Sequence, residues 1–445
     1  MRLPSFASLL SAVILATAVV PVVACDPVIV SEGEGEGEGE GEAAAPGDIQ
    51  RSAVPFNTSP AVSAADLDDA GDNALLLALD LLDAGNVGDN QLLSPVSVLE
   101  AFSMLSAGAR GDTLAQLEDA LRMADQDTHH DVMNAWNLGL ADRNIAAQTA
   151  DPEQGLGVAD PVILSLVNQL FQDDDFEVEP AFLDRTSSAY DAGVQRVDFG
   201  NNPDAIRQDI NAWVLDQTRT RISDLLPPDS ITTDTRLVLV NALYLKAPWT
   251  TPFDKNATAP GTFRAAAGDV TVPFLHGTQS GRFASVDGVD IAEIPLRGDA
   301  LSLTLFIPRT NAALDNDAVL AAWNALADLQ NVELSLSLPS FTIDDELNLN
   351  EALSALGVTE LFDADSCDLG GINAQESLYV SGAFHKAFVG VDDKGLEAAA
   401  ATAIVVSGES AAPTPITLNV DRPFTFVIRD RALSAPLFVG RVVSP

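Results

Sequence analysis

Basic residues and cysteines are scarce in this chain, and each shortage excludes a class of protein. The 445 residues include 23 Lys or Arg against 65 Asp or Glu, which gives a formal net charge of −42. A surface this acidic repels phosphate backbones, so nucleic-acid binding is excluded as a default function. The only cysteines are Cys25 and Cys367, too few for a disulfide-stabilised scaffold. The hydrophobic fraction of 47% nevertheless indicates a folded protein with a large core.

The sequence also lacks the short motifs that mark common enzymes. It contains no G-x-S-x-G, H-E-x-x-H, P-loop or dinucleotide-binding glycine pattern. No local motif pairs one of the four histidines with a nucleophile. A catalytic triad is assembled from residues that are far apart in the chain, however, so a hydrolase function stays open. His129-His130-Asp131 could contact a metal, but adjacent histidines in an acidic stretch are typical of a solvated surface. We predict no enzyme, no metal and no other cofactor.

The first 25 residues have the pattern of an export signal. Arg2 gives a positive start, and Leu9 to Val23 is apolar but too short to span a bilayer comfortably. The sequence Val22-Val23-Ala24-Cys25 resembles the lipobox of bacterial lipoproteins. This resemblance implies cleavage before Cys25 and acylation of its thiol, with the protein held on a bacterial membrane in the periplasm or at the cell surface. The alternative is an ordinary signal peptide cleaved near Ala24.

The next segment predicts a flexible spacer. Glu alternates with Gly from Glu32 to Glu42, a composition that cannot bury apolar surface and whose charges repel one another. From about Asp66 the composition is globular. We therefore predict a signal peptide at 1–24, an acidic tether at 25–65 and one folded domain at 66–445. The strong acidity is consistent with adaptation to salt or simply with solubility.

The folded part has an α+β pattern, with helices in the first half and strands in the second. Ser94-Pro95 predicts the start of a helix, because Ser is a good N-cap and Pro suits the first turn. Asp112 or Thr113 is expected to cap another helix over 114–121. The apolar runs and alternating patterns predict strands at 236–245, 301–307, 332–338, 424–429 and 437–443.

One segment, Val389 to Pro423, has conflicting local preferences. Its alanine-rich part, Glu397 to Ala403, favours a helix. As a strand, however, the same segment would present one nearly apolar face, and so it is suited to burial in a sheet. That face comprises Leu396, Ala398, Ala400, Thr402, Ile404 and Val406.

Several motifs in the correct order resemble the serpin family, over essentially all of residues 66–445. The segment from Lys394 to Thr402, KGLEAAAAT, is similar to the serpin hinge. Further matches are Asn90–Ser97 (NQLLSPVS), Ile210–Val214 (INAWV), Val240–Lys246 (VNALYLK) with Trp249, Pro252 and Phe253, His385–Ala387 (HKA), Asp421–Phe424 (DRPF) and Leu437–Val442 (LFVGRV).

The resemblance implies a serpin fold of three β-sheets and about nine helices with an exposed reactive loop, and irreversible suicide-substrate inhibition of serine proteases by a monomer. The protease cleaves the loop and is acylated, and the freed hinge then enters the central sheet as a new strand, an example of strain released by strand addition. The implied hinge is Gly395, Leu396, Glu397, Ala398, Ala399, Ala400, Ala401 and Thr402. The implied shutter, where the strands part, is Ser94, Ser97, Asn241 and His385. Trp249 matches the breach, where insertion begins.

Two ways of counting place the cleaved bond. Counting forward from the hinge, as in the family, gives Glu409-Ser410, whereas counting back from Pro423 gives Ala412-Pro413. We favour Glu409-Ser410, because a proline after the cut resists most proteases. The implied partner is a serine protease that accepts Glu, or an elastase-like enzyme that cuts near Val406, Ala411 or Ala412. A trypsin-like target is disfavoured, since no Lys or Arg lies between Leu396 and Asp421.

Leu396 departs from the family pattern, because inhibitory serpins usually carry Thr or Ser at this position. A larger side chain could slow insertion and turn an inhibitor into a substrate, although Leu is uncharged and favours burial. The alternative function is therefore a non-inhibitory, tethered binding or scaffold protein with the same fold.

Overall fold

The computed structural model describes residues 45–85, 88–149, 158–375, 377–397 and 414–445. In these ranges it contains eight α-helices: α1 (Ala64–Ala84), α2 (Pro95–Gly108), α3 (Gly111–Ala120), α4 (Gln126–Ala141), α5 (Pro180–Tyr190), α6 (Pro203–Gln217), α7 (Asn316–Asn324) and α8 (Leu349–Ala355). None of the helices in these ranges is long and apolar enough to cross a membrane.

The strands form two hydrogen-bonded sheets. The seven-stranded sheet has the order β1-β4-β3-β5-β13-β12-β11, and the nine-stranded sheet contains the remaining strands. The strands are β1 (Asp48–Gln50), β2 (Gln91–Leu93), β3 (Ile163–Asp173), β4 (Val194–Val197), β5 (Leu237–Pro248), β6 (Ala259–Ala265), β7 (Gly268–Val286), β8 (Val289–Pro295), β9 (Leu301–Pro308), β10 (Gln330–Pro339), β11 (Phe341–Asn348), β12 (Ala383–Val391), β13 (Gly395–Leu396), β14 (Ile416–Asn419), β15 (Phe424–Asp430) and β16 (Ala435–Val442).

The long strand β7 joins two halves of the nine-stranded sheet. It pairs with β6 and β10 over most of its length and with β8 only at its end. The seven-stranded sheet and these two halves, counted separately, are the three sheets expected of a serpin fold. The α+β prediction is confirmed.

Helix α2 and strand β5 form the centre of the molecule. Ser94 caps α2 by accepting a hydrogen bond from Ser97 N–H, and Pro95 occupies the first turn, as the sequence predicts. All of β5 except Lys246 is buried, as expected for a central strand covered on both faces. The hydroxyl of Ser97 on α2 donates to Asn241 Oδ1 on β5 over 2.6 Å, which fixes the helix beneath the sheet.

The folded part begins earlier than the composition predicts. Strand β1 pairs antiparallel with β4, with Ile49 opposite Gln195, at the edge of the seven-stranded sheet. Asn57 N–H donates to Ser188 O over 2.9 Å, so the chain stays close to the domain between β1 and α1. A free sheet edge offers unpaired N–H and C=O groups, which explains why a polar segment docks there.

Candidate functional site

The start of the hinge is a short strand inside the central sheet. Leu396 in β13 pairs antiparallel with Val391 of β12 on one side and with Ala247 of β5 on the other. Its side chain is buried, with 2% of its surface exposed. The larger side chain at this position is therefore accommodated between the two strands before any cleavage of the loop.

Gly395 is required at the entrance of this short strand. Its φ is +152°, a value that L side chains rarely adopt. A Cβ atom added to it would lie 2.4 Å from Ala247 O and 2.5 Å from Pro248 Cα. Any side chain here would push β13 away from β5.

The predicted breach residue, Trp249, holds the turn that precedes the hinge. Its indole Nε1 donates to Asp392 O and its backbone N–H donates to Lys394 O, each over 2.9 Å. Phe253 packs edge-on against the indole, and its N–H donates to Asp393 O over 2.8 Å. The aromatic pair therefore fixes where the chain enters the sheet.

Between Leu396 and the pair Leu243–Ala387, strands β5 and β12 do not pair with each other. Further along they pair with each other in parallel, from Leu243 opposite Ala387 to Leu239 opposite Ala383. Between the two paired sections lies a cavity of about 360 Å³. Its lining comprises Arg221, Tyr244, Lys246, Ser340, Thr342, Phe388, Gly390, Val391, Asp392 and Glu397. This cavity lies where the next residues of an inserting strand would pass.

Glu397 closes the top of the cavity. Its N–H donates to Gly390 O over 2.9 Å, and its φ of +48° marks a bend after the strand. Its carboxylate forms an ion pair with the Arg221 guanidinium, which also lies 5.4 Å from the centre of the Phe388 ring. Burial raises the pKa of Glu397, and Arg221 partly offsets that effect. The Arg221 side chain thus connects the loop after α6, the hinge and β12.

Tyr244 faces the same carboxyl group from β5. Burial, with the Glu397 charge as the second cause, raises the pKa of the Tyr244 phenol well above its ordinary value. The phenol therefore stays neutral at physiological pH. Any further insertion of the hinge has to move Glu397 away from Arg221 and past Tyr244.

The four predicted shutter residues lie together beneath the paired section of β5 and β12. Ser94 N–H donates to His385 Nε2 over 3.1 Å, and His385 Nδ1 lies 3.1 Å from Asn241 Oδ1. Asn241 Nδ2 donates to Ser97 O and to Asn168 Oδ1. One amide on β5 thus links α2, β3 and β12, and any separation of β5 from β12 would break or rearrange these bonds.

The hydrogen bonds define the state of the His385 ring. Because Nε2 accepts from a backbone N–H, the proton lies on Nδ1, which donates to Asn241 Oδ1. Burial lowers the pKa of His385 to about 4. The ring is neutral at physiological pH, and a second proton on Nε2 would oppose the Ser94 N–H.

Several predicted site residues lie outside the described residues, namely Ala398 to Thr402, the bond Glu409-Ser410 and Cys25. Conversely, three residues of the site were not predicted from the sequence: Asn168, Arg221 and Tyr244. Tyr244 lies inside the VNALYLK motif, so its position in a buried strand was the available signal. Nothing in the sequence marks Arg221, because its partner Glu397 is 176 residues away.

The expectation that His129 and His130 are solvated is wrong. His130 is 1% exposed and its Nδ1 lies 2.5 Å from the Tyr190 hydroxyl, while His129 Nε2 lies 2.6 Å from the Ser103 hydroxyl. Burial lowers the pKa of His129 to about 4 and that of His130 to about 3. The amphipathic pattern of α4 turns both rings toward neighbouring helices.

The chain is similar to a known protein family and to individual members of it. Residues 74–445 match the family model described as "Serpin (serine protease inhibitor)". The chain is 34% identical to antithrombin-III of Mus musculus over 382 residues, which is 82% of this chain and 78% of that protein. It is 31% identical to human leukocyte elastase inhibitor over 384 residues, which is 83% of this chain and 97% of that one.

The fold is also similar to solved structures. The thermophilic serpin tengpin in its native state gives a TM-score of 0.74 at 22% identity, covering 89% of this chain and 98% of the other. The fold, the ordered motifs and the family match over residues 74–445 agree, and the chain belongs to the serpin family.

Proposed function

We propose that this serpin is an irreversible suicide-substrate inhibitor of serine proteases, not an enzyme, and that it acts from a bacterial membrane. The protease attacks the loop between the hinge and β14, its serine becomes acylated, and the released hinge extends β13 between β5 and β12. The relatives include proteins named as protease inhibitors, such as leukocyte elastase inhibitor.

The buried position of Leu396 is the observation that supports inhibition most directly. The departure from the family pattern at this residue was the main argument against insertion. Leu396 nevertheless pairs with both flanking strands at 2% exposure, and a cavity follows it in the direction of insertion. The first step of insertion is therefore compatible with this side chain.

Incubation with a panel of serine proteases tests the proposal. The domain without residues 1–44 should form complexes with a glutamate-specific or an elastase-like protease that survive denaturing electrophoresis, because the acyl bond is covalent. The mass of the released C-terminal peptide identifies the cleaved bond. Cleavage at Glu409-Ser410 gives a peptide that begins at Ser410, and cleavage near Val406, Ala411 or Ala412 gives a different mass.

A proline in the hinge tests whether strand insertion is the mechanism. Ala400→Pro removes a backbone donor that the inserted strand needs. We expect this variant to be cleaved as a substrate without a stable complex. A complex that persists in Ala400→Pro means that the protease is held in another way.

The alternative, a non-inhibitory binding or scaffold protein, rests on the size of Leu396. Thermal melting before and after cleavage of the loop separates the two functions. An inhibitor gains a central strand on cleavage and should melt at a much higher temperature, whereas a scaffold should melt at the same temperature in both forms. A peptidase assay on general substrates tests the remaining hydrolase hypothesis.

The membrane location rests on Cys25 and is tested separately. In a bacterium that expresses the full chain, wild type should incorporate labelled fatty acid and sediment with membranes. Cys25→Ser should do neither, because it lacks the acylated thiol. Equal sedimentation of both proteins would instead favour the ordinary signal peptide cleaved near Ala24.

A further inference from the structure

Helix α2 contacts the central sheet at a second place, one turn beyond Ser97. Ser97 and Glu100 are three residues apart and therefore lie on the same face of the helix. Their partners on the sheet, Asn241 of β5 and Asn168 of β3, are directly opposite each other in the antiparallel pair of strands. Asn241 Nδ2 donates to Asn168 Oδ1, so the two amides are joined. The result is a double contact between α2 and two neighbouring strands.

Glu100 is a carboxyl group buried between amides, with 6% of its surface exposed. Its Oε1 accepts from Asn137 Nδ2 on α4 over 2.8 Å. From the sheet, Asn168 uses its Oδ1 for Asn241, and its buried Nδ2 has no other acceptor in the described residues. Burial raises the pKa of Glu100 to about 8, and the amides of Asn137 and Asn168 only partly offset this effect. The carboxyl group is therefore a neutral acid at pH 7, as expected for a buried acid that amides surround.

The other ionisable groups around this contact keep their charge between pH 7 and pH 9. His129 and His130 on α4 are neutral, because burial lowers the pKa of the first to about 4 and that of the second to about 3. Burial, with the Glu100 charge as the second cause, raises the pKa of Tyr190 on α5 well above its ordinary value. Arg185, the cation on α5, forms its ion pair at the protein surface. The sheet contributes amides to this contact, so a change of charge just above neutral pH falls on Glu100.

We propose that Glu100 is a positioning residue for the opening of the central sheet: as a neutral acid it holds Asn168, and through it Asn241, against α2, and its ionisation releases them. The inference rests on the proposed function, in which a strand enters between β5 and β12. Neighbouring strands lie about 4.8 Å apart, so β3 and β5 have to move relative to β12 and slide over α2. A carboxylate is stabilised by water more than by two amides, and it therefore favours a movement that admits water. The Ser97 hydroxyl at the first contact has no such dependence on pH.

Uptake of a hinge peptide tests this inference without a protease. A synthetic peptide with the sequence of residues 396–409 is mixed with the intact protein, and its incorporation is followed by native electrophoresis. Wild type should take up the peptide at least threefold faster at pH 9 than at pH 7. Glu100→Gln keeps an acceptor for both amides but cannot ionise, so it should match wild type at pH 7 and show no acceleration at pH 9. The matched control is Glu118→Gln on α3, which changes another glutamate that accepts from an amide, Gln126 Nε2, over 3.1 Å. This control should behave like wild type at both pH values.

A second variant, Glu100→Ala, removes the acceptor of both amides and should take up the peptide at least threefold faster than wild type already at pH 7. If it does not fold, the comparison of Glu100→Gln with wild type decides alone. Glu100 is a structural group only if Glu100→Gln accelerates with pH as wild type does, if wild type takes up the peptide equally fast at both pH values, or if a folded Glu100→Ala keeps the wild-type rate. If wild type takes up no peptide at either pH, strand insertion itself is contradicted, and the proposed function fails together with this inference.

Discussion

The same two strands, β5 and β12, are joined along one section and parted along the next. In the joined section, from Leu239 to Leu243, they pair directly, above a cluster of polar side chains. In the parted section, Leu396 lies between them and a cavity follows it. In the joined section the two strands pair with each other in parallel, whereas in the parted section β13 runs antiparallel to both of them. The sheet is closed where Asn241 and His385 bridge it, and open where an apolar side chain has entered.

The largest expected effect comes from placing a charge in the parted section. Leu396→Arg puts a guanidinium in a site that is 2% exposed, without a partner, so the hinge should leave the sheet. We expect trapped protease to fall at least tenfold while cleavage of the loop continues. The measurement is the number of inhibitor molecules consumed per protease molecule inhibited. Leu396→Val, which stays apolar, should retain most of the trapping, and equal trapping by both variants would contradict this view of the hinge.

The next largest effect is expected in the joined section. Asn241→Ala leaves the Ser97 hydroxyl and His385 Nδ1 without their shared acceptor. Two buried unsatisfied groups, at about 2 kcal/mol each, should lower the free energy of unfolding by about 4 kcal/mol. Urea unfolding of the intact domain measures this change. Ser97→Ala removes one of these groups together with its bond and leaves Asn241 Oδ1 accepting from His385, so it should cost only about 1 kcal/mol. A loss below 1 kcal/mol in Asn241→Ala would mean that the polar cluster does not hold this section closed.

Acidification should weaken the joined section through His385. Its pKa of about 4 in the folded state is below the value of 6.5 in the unfolded state. The unfolded state therefore binds more protons between these values, and stability falls as the pH decreases from 6.5 toward 4. The full loss is on the order of 3 kcal/mol for this residue. His129 and His130 act in the same direction, so the measurement is the difference in pH dependence between wild type and His385→Gln. Identical pH profiles would show that His385 does not contribute.

The smallest effect is expected for the ion pair that closes the cavity. Arg221 is about half exposed, so its pair with Glu397 should contribute less than about 1 kcal/mol. Glu397→Gln should therefore alter the rate of loop cleavage by a non-target protease only a few-fold. A double-mutant cycle with Arg221→Ala gives the coupling energy directly. Additive effects of the two substitutions would show that the pair has no role in holding the hinge.

The helices and strands that local sequence predicted are present, and the prediction failed where a distant partner decided the structure. The cap at Ser94 and the buried strand after Arg236 follow from nearest neighbours, and both are present. Helix α3, however, begins at Gly111 after Arg110, ahead of the predicted caps at Asp112 or Thr113. Arg110 N–H donates to Asp368 O over 2.9 Å, a contact that the sequence around the helix does not contain. Likewise, β1 forms only because β4 offers it an edge.

The amino-acid sequence by itself determined the apolar periodicity, the helix cap at Ser94, the glycine at 395 and the ordered motifs that identify the family. These features depend on residues close together in the chain, where the geometry is fixed by the backbone. Only the tertiary structure decided how far the hinge enters the sheet, that Leu396 is buried there, and that Glu397 meets Arg221 across 176 positions. Such contacts join segments far apart in the chain, and their energies depend on distances and burial that exist only after the chain has folded.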